Sequence, residues 1–278
     1  MRQPPIPLVG VYAKIERAKE HISALDAEVQ RFKNSGPYIV EPHKEPRSGD
    51  ILFLLRVHRT LPLKCNTIVG DCIQNLRAAL DYLARQLVLA NDGKPTRHTA
   101  FPISDSANEF ETGGLGRLKG ASEEAMAVLK KVKPYRGGND ALWRLHRLSI
   151  VDKHHEFITV GLAHEDVIID FGAQMRETAM RLGADWAKDT PSMEIGIRPA
   201  NRQYPLIDGT PLYRISAGVD LTEADMNPKF TLQVAFGQGE VVQGEPVFPA
   251  LQQLIGSVEE TVKQFHPVFM SATSIQSP

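Results

Sequence analysis

Apolar residues recur at steps of three and four along the start of the chain: Leu8, Val11, Ile15, Ala18, Ile22, Leu25, Val29 and Phe32. That seam predicts a long helix that buries one stripe and exposes charged faces, ended by Asn34-Ser35-Gly36-Pro37. Tyr38-Ile39-Val40 and Ile51-Leu52-Phe53-Leu54-Leu55, either side of the polar turn Pro46-Arg47-Ser48-Gly49-Asp50, predict a β-hairpin over 38–60. The three–four spacing returns at Ile73, Leu76, Leu80, Leu83 and Leu87, predicting a helix over 64–90. Residues 104–120, with Gly113-Gly114-Leu115-Gly116, read as loop. A short helix starts from an N-capping Ser122 and stops before Pro134. Leu142, Leu145, Leu148 and Val151 mark the buried face of a helix over 139–154.

Strand-like segments follow: 157–160 and 167–171, joined around His164-Glu165-Asp166, then 193–197, 212–215 and 230–236. Residues 173–190 show neither period. Val247, Leu251, Leu254, Val258, Val262 and Phe265 then repeat the helical stripe over 246–267, with Pro267 expected to close it. Three long stripes far apart in sequence imply that they bury against one another. The expected fold is therefore α+β. It is a helical bundle of three long amphipathic helices plus shorter ones, with a mostly antiparallel β-sheet inserted before the C-terminal helix. We expect a single domain over 1–278. Its parts are a mainly helical 1–154 that includes the hairpin at 38–60, a β-rich 155–240, and a 246–267 helix returning to the bundle.

The net charge of −1 argues against a wholly basic nucleic-acid coat protein. Its distribution changes that picture. Residues 1–155 hold 24 basic and 17 acidic side chains, a balance of +7; residues 156–278 hold 8 and 16, a balance of −8. The densest basic stretch, 130–155, contains Lys130, Lys131, Lys133, Arg136, Arg144, Arg147 and Lys153. Such a stretch offers a surface to a polyanion such as RNA. Equally, it can be a face neutralised by the acidic half of the chain. Two cysteines exclude a disulfide scaffold and a four-thiolate zinc site. The absence of a long apolar run and of a signal-type start makes no membrane contact and a cytoplasmic location the expectation.

Three short segments stand out: Asn75-Leu76-Arg77-Ala78-Ala79-Leu80-Asp81, Phe101-Pro102-Ile103, and Leu145-His146-Arg147 through Asp152-Lys153-His154. Together they resemble a group of uncharacterised bacterial proteins with LR-x-ALD, FPI and DKH segments. More distantly, the chain is similar to HEPN-type helical domains, many of which are metal-independent ribonucleases with an Arg and a His separated by four to six residues. Arg147 and His154 have six residues between them, while Leu148 departs from the polar residue that usually follows the Arg. The resemblance implies RNA binding or RNA cleavage without a cofactor. Arg147 would hold a phosphate and His154 would act as acid or base, with Arg77, Asp81 and Asp152 in support.

On a helix, residues seven apart differ by about 20° and rise about 10.5 Å, so Arg147 and His154 would share a face. An Arg can grip a phosphate bidentately, and a His near neutrality can move a 2′-hydroxyl proton, so no metal is required. Structural roles stand beside this reading. Arg147 can pair with a carboxylate such as Asp81, Asp152 with Lys153 or Arg77, and His154 can end a helix as a satisfied donor. His154, His155, His164, Asp166 and Asp170 lack the spacing of a metal motif, and no dinucleotide or nucleophile-elbow motif is present. The alternative function is a non-enzymatic structural or protein-interaction protein. It would be homodimeric if an apolar stripe outruns what one chain can cover.

Overall fold

The computed structural model describes residues 6–154, 160–170, 194–197, 206–217, 229–237 and 241–274, with isolated positions at 176, 179, 180, 183 and 191. Its helices are α1 (Val9–Asn34), α2 (Leu63–Leu89), α3 (Ala107–Thr112), α4 (Glu123–Val132), α5 (Asp140–His154), α6 (Val247–Gln264) and α7 (His266–Ser274). The strands are β1 (Tyr38–Lys44), β2 (Ile51–Val57), β3 (Val160–Asp170), β4 (Glu194–Ile197), β5 (Pro211–Ile215) and β6 (Lys229–Phe236). This is an α+β fold with antiparallel sheet ahead of the C-terminal helices. The chain forms two compact units, one of residues 1–28, 63–159 and 238–278, the other of 29–62 and 160–237.

The first unit is helical, and the stripes explain it. Leu8, Val11, Ile15, Ala18 and Leu25 of the opening seam are buried, as are Ile73, Leu76, Leu80, Leu83 and Leu87 of α2. Leu251, Leu254, Val258 and Val262 of α6 are buried too, and α6 packs against both α2 and α5. Polar contacts fix the same arrangement: Cys72 Sγ donates to the Ala18 carbonyl at 3.5 Å, and Lys19 meets Glu259 at 2.7 Å. Burying a Leu or Val side chain is worth about 1.5–3 kcal/mol, so this shared apolar interior outweighs any single ion pair on the surface.

Gly70 sets how closely α2 and α5 approach. A Cβ at that position would collide with Asp152 Oδ1. Beside it Gln74 Nε2 donates to the Ser149 carbonyl at 3.1 Å and to Asp152 Oδ2 at 2.8 Å. The small residue admits the carboxylate, and the amide then satisfies it.

The second unit is built on two three-stranded antiparallel sheets, ordered β1-β2-β5 and β4-β3-β6. The hairpin thus pairs with β5 and lies in the strand-bearing unit rather than with the helices. Phe32, Leu55, Leu206, Leu212 and Leu232 form a core there.

Three local expectations are corrected. Residues 104–120 carry α3 and a 3-10 turn at Gly114–Leu118, because Ser106 Oγ caps the Glu109 amide at 3.2 Å and Phe110 is buried. The two strands expected around His164-Glu165-Asp166 are one strand, β3, whose pairing with β6 shifts register there as a bulge absorbs the extra residue. Pro267 does not end the C-terminal helical region. It is the second residue of α7, where a missing N–H costs nothing. The expected strand residues 157–159, and most of 173–190, lie outside the described residues.

Candidate functional site

The site is assembled on α2. Arg77 and Asp81 stand four residues apart and form an ion pair at 3.0 Å. Arg77 Nη2 also donates to the Phe101 carbonyl at 2.9 Å, and Asp81 Oδ1 accepts the Phe101 amide at 3.0 Å. One peptide segment is therefore held at both its donor and its acceptor by a single charged pair. Two of the sequence segments, LR-x-ALD and FPI, meet here, and the third reaches the same helix through Asp152 and Gln74. The Arg77 side chain is only 6% exposed, and burial is the main cause lowering its pKa, with Asp81 opposing and Arg117 adding to the effect. Its Nη1 is buried with no hydrogen-bond partner.

A cavity of about 300 Å³ opens beside this pair, lined by Lys14, Gln74, Asn75, Arg77, Ala78, Asp81 and Lys153. Its charges come from three places: Lys14 on α1, the Arg77–Asp81 pair on α2, and Lys153 at the end of α5. Lys14 Nζ reaches Asn75 Oδ1 at 3.5 Å and lies 5.9 Å from the centre of the Tyr82 ring. Arg77 and Asp81 neutralise each other, so the two lysines leave the cavity cationic. Asp152 of α5 accepts from Gln74.

A second cluster surrounds His146. Burial pushes its pKa down to about 4, and the positive charges of Arg77, Arg117 and Arg147 push the same way against Asp105. His146 is thus neutral at pH 7, and its Nδ1 is buried without a hydrogen-bond partner. Asp105 accepts the Trp143 indole N–H at 2.7 Å, and the Arg136 guanidinium lies 5.1 Å from the centre of that ring.

The sequence-predicted residues distribute as follows. Arg77 and Asp81 come together, with Asp81's ion-pair partner being Arg77 and not Arg147. Asp152 bonds Gln74, not Arg77 or Lys153. Arg147 is half-buried on α5, and His154 closes the same helix, its side chain lying outside the described residues. Of the basic stretch, Arg144 is held bidentately by Glu245 at 2.7 and 3.1 Å, and Lys130 lies 3.9 Å from Glu111. Lys131, Lys133 and Arg136 are exposed. Sequence reasoning missed Lys14, Gln74 and Asn75 as site residues. Each is the polar neighbour of a seam position, and that adjacency was the available signal.

Burial pushes the Cys72 thiol up to about 12, so it is no nucleophile near neutrality. Among the described residues, no group of three His, Cys, Asp or Glu side chains could hold a metal ion, and no helix is long and apolar enough to cross a membrane. No family model, curated protein or solved structure matches the chain.

Proposed function

We propose that this chain is an RNA-binding protein that grips phosphate in the cavity between α1, α2 and α5. The observation that supports this is the cationic balance of the lining, where Lys14 and Lys153 stand beside the Arg77–Asp81 pair and neither is in a salt bridge among the described residues. Lysine ammonium groups and side-chain amides are donors suited to phosphate oxygens. Phosphate neutralisation also predicts a salt signature: log K falls with log salt at a slope of about −0.7 per neutralised phosphate on a single strand. Titrating a single-stranded RNA into the protein at several salt concentrations tests this. Lys14→Gln with Lys153→Gln is expected to weaken binding and make the slope shallower by about one to two such contacts. Unchanged affinity and slope in the double variant contradict the proposal.

A second reading, metal-independent ribonuclease, keeps Arg147 and His154 as phosphate holder and acid or base. It is favoured by the two positions standing on one uninterrupted helix, α5. RNA cleavage in EDTA by the wild type, lost in His154→Ala, is its expected outcome. Equal cleavage in both, or none in either, contradicts it.

A further inference from the structure

Resting on the cavity reading above, we infer that the cavity takes a terminal phosphate monoester, the phosphorylated end of an RNA strand or a free nucleotide, rather than an internal phosphodiester. Once Arg77 and Asp81 cancel, Lys14 and Lys153 leave two positive charges in the lining. A monoester carries about −1.5 to −2 at pH 7, whereas an internal diester carries a single negative charge. The dianion matches the lining; the diester leaves it under-compensated.

Arg77 is one of the cavity's lining residues and is nearly inaccessible, with its guanidinium tied to the Phe101 carbonyl on one side. Arg77 therefore forms part of the cavity wall.

Tyr82 follows Asp81 on α2, is 46% exposed, and has Lys14 Nζ 5.9 Å from its ring centre. An exposed ring beside a phosphate-holding lysine is a platform for a base, since stacking is tolerant of base identity. Lys14 belongs to both parts: it can meet the phosphate while lying against the ring that the base covers.

The test compares one short RNA bearing a 5′-phosphate with the same RNA bearing a 5′-hydroxyl, a 3′-phosphorylated version, and adenosine monophosphate. The wild-type chain is expected to bind a phosphorylated end about tenfold tighter than the hydroxyl end, a difference that charge-assisted hydrogen bonds supply. Lys14→Gln and Lys153→Gln should each shrink that difference, weakening the phosphorylated form more than the hydroxyl form. Tyr82→Leu should weaken nucleotide binding and leave inorganic phosphate binding unchanged. Binding of adenosine monophosphate without preference among the RNAs assigns the cavity to a free nucleotide and still supports the inference. Equal binding of all RNA ends with no nucleotide binding overturns the inference while leaving RNA binding intact. No binding of any RNA or nucleotide overturns both.

Discussion

Arg77 is the residue on which most of the site depends. It supplies half of the ion pair, one of the two bonds holding Phe101, and part of the cavity wall. Removing one partner of a buried pair leaves the other groups unsatisfied. Arg77→Met should therefore lower stability by about 3 kcal/mol, measured by denaturant unfolding. Arg77→Lys keeps the charge but not the planar guanidinium whose Nη2 meets both Asp81 Oδ1 and the Phe101 carbonyl, and should recover only part of that loss. Gly70→Ala is expected to cost about 1–3 kcal/mol, because its methyl group and Asp152 Oδ1 claim the same space. Gly70→Ala in an Asp152→Ala background should cost less than in the wild type, a double-mutant cycle that identifies the collision as the cause. His146 carries a pH dependence of definite sign. Its native pKa of about 4 lies below the ordinary 6.5, so the unfolded chain binds the proton more readily. The contribution is complete above pH 6.5 and is lost as pH falls through about 4. Discounted for partial exposure of the ring, it amounts to about 2 kcal/mol. His146→Gln should flatten the stability profile between those pH values, and an unchanged profile would contradict the assignment.

At the scale of elements, most of the fold was legible in periodicity. The stripes of α1, α2 and α6 predicted both the helices and their burial, because an apolar face at a period of 3.6 has nowhere to go but against another such face. The hairpin was legible from its turn, where Gly49 takes φ +76°. What escaped was set by tertiary context. The short α3 has one buried aromatic residue, Phe110, and a cap, too little pattern to distinguish it from loop. The bulge in β3 is invisible in a single strand because it exists only in the pairing with β6. The site was half legible. Arg77 and Asp81 declared themselves as an i, i+4 pair, but their common target, the backbone of Phe101, is twenty residues beyond Asp81. Lys14 reaches the cavity from a different helix, a juxtaposition that no local spacing encodes. Ser122→Ala removes the cap on the Ala125 amide and should cost about 1 kcal/mol, read out as a lower midpoint in denaturant unfolding.

On the scale of the whole molecule, the asymmetry of charge has two components. Part of the basic half is neutralised by acids from the C-terminal segment, as Arg144–Glu245 and Lys19–Glu259 show. Other basic residues pair within the same half, as Arg17–Glu20 and Lys64–Glu28 do, while Lys131, Lys133 and Arg136 are exposed. The non-enzymatic alternative, a homodimer built on an uncovered apolar stripe, predicts a mass in light scattering twice that of the chain; a monomeric mass counts against it. The most direct test of RNA binding at the cavity is a crystal structure with a 5′-phosphorylated oligonucleotide. The account predicts the terminal phosphate between Lys14 and Lys153, within hydrogen-bonding distance of both ammonium groups. Phosphate bound instead along Lys131, Lys133 and Arg136, with the cavity free of nucleotide, would contradict it.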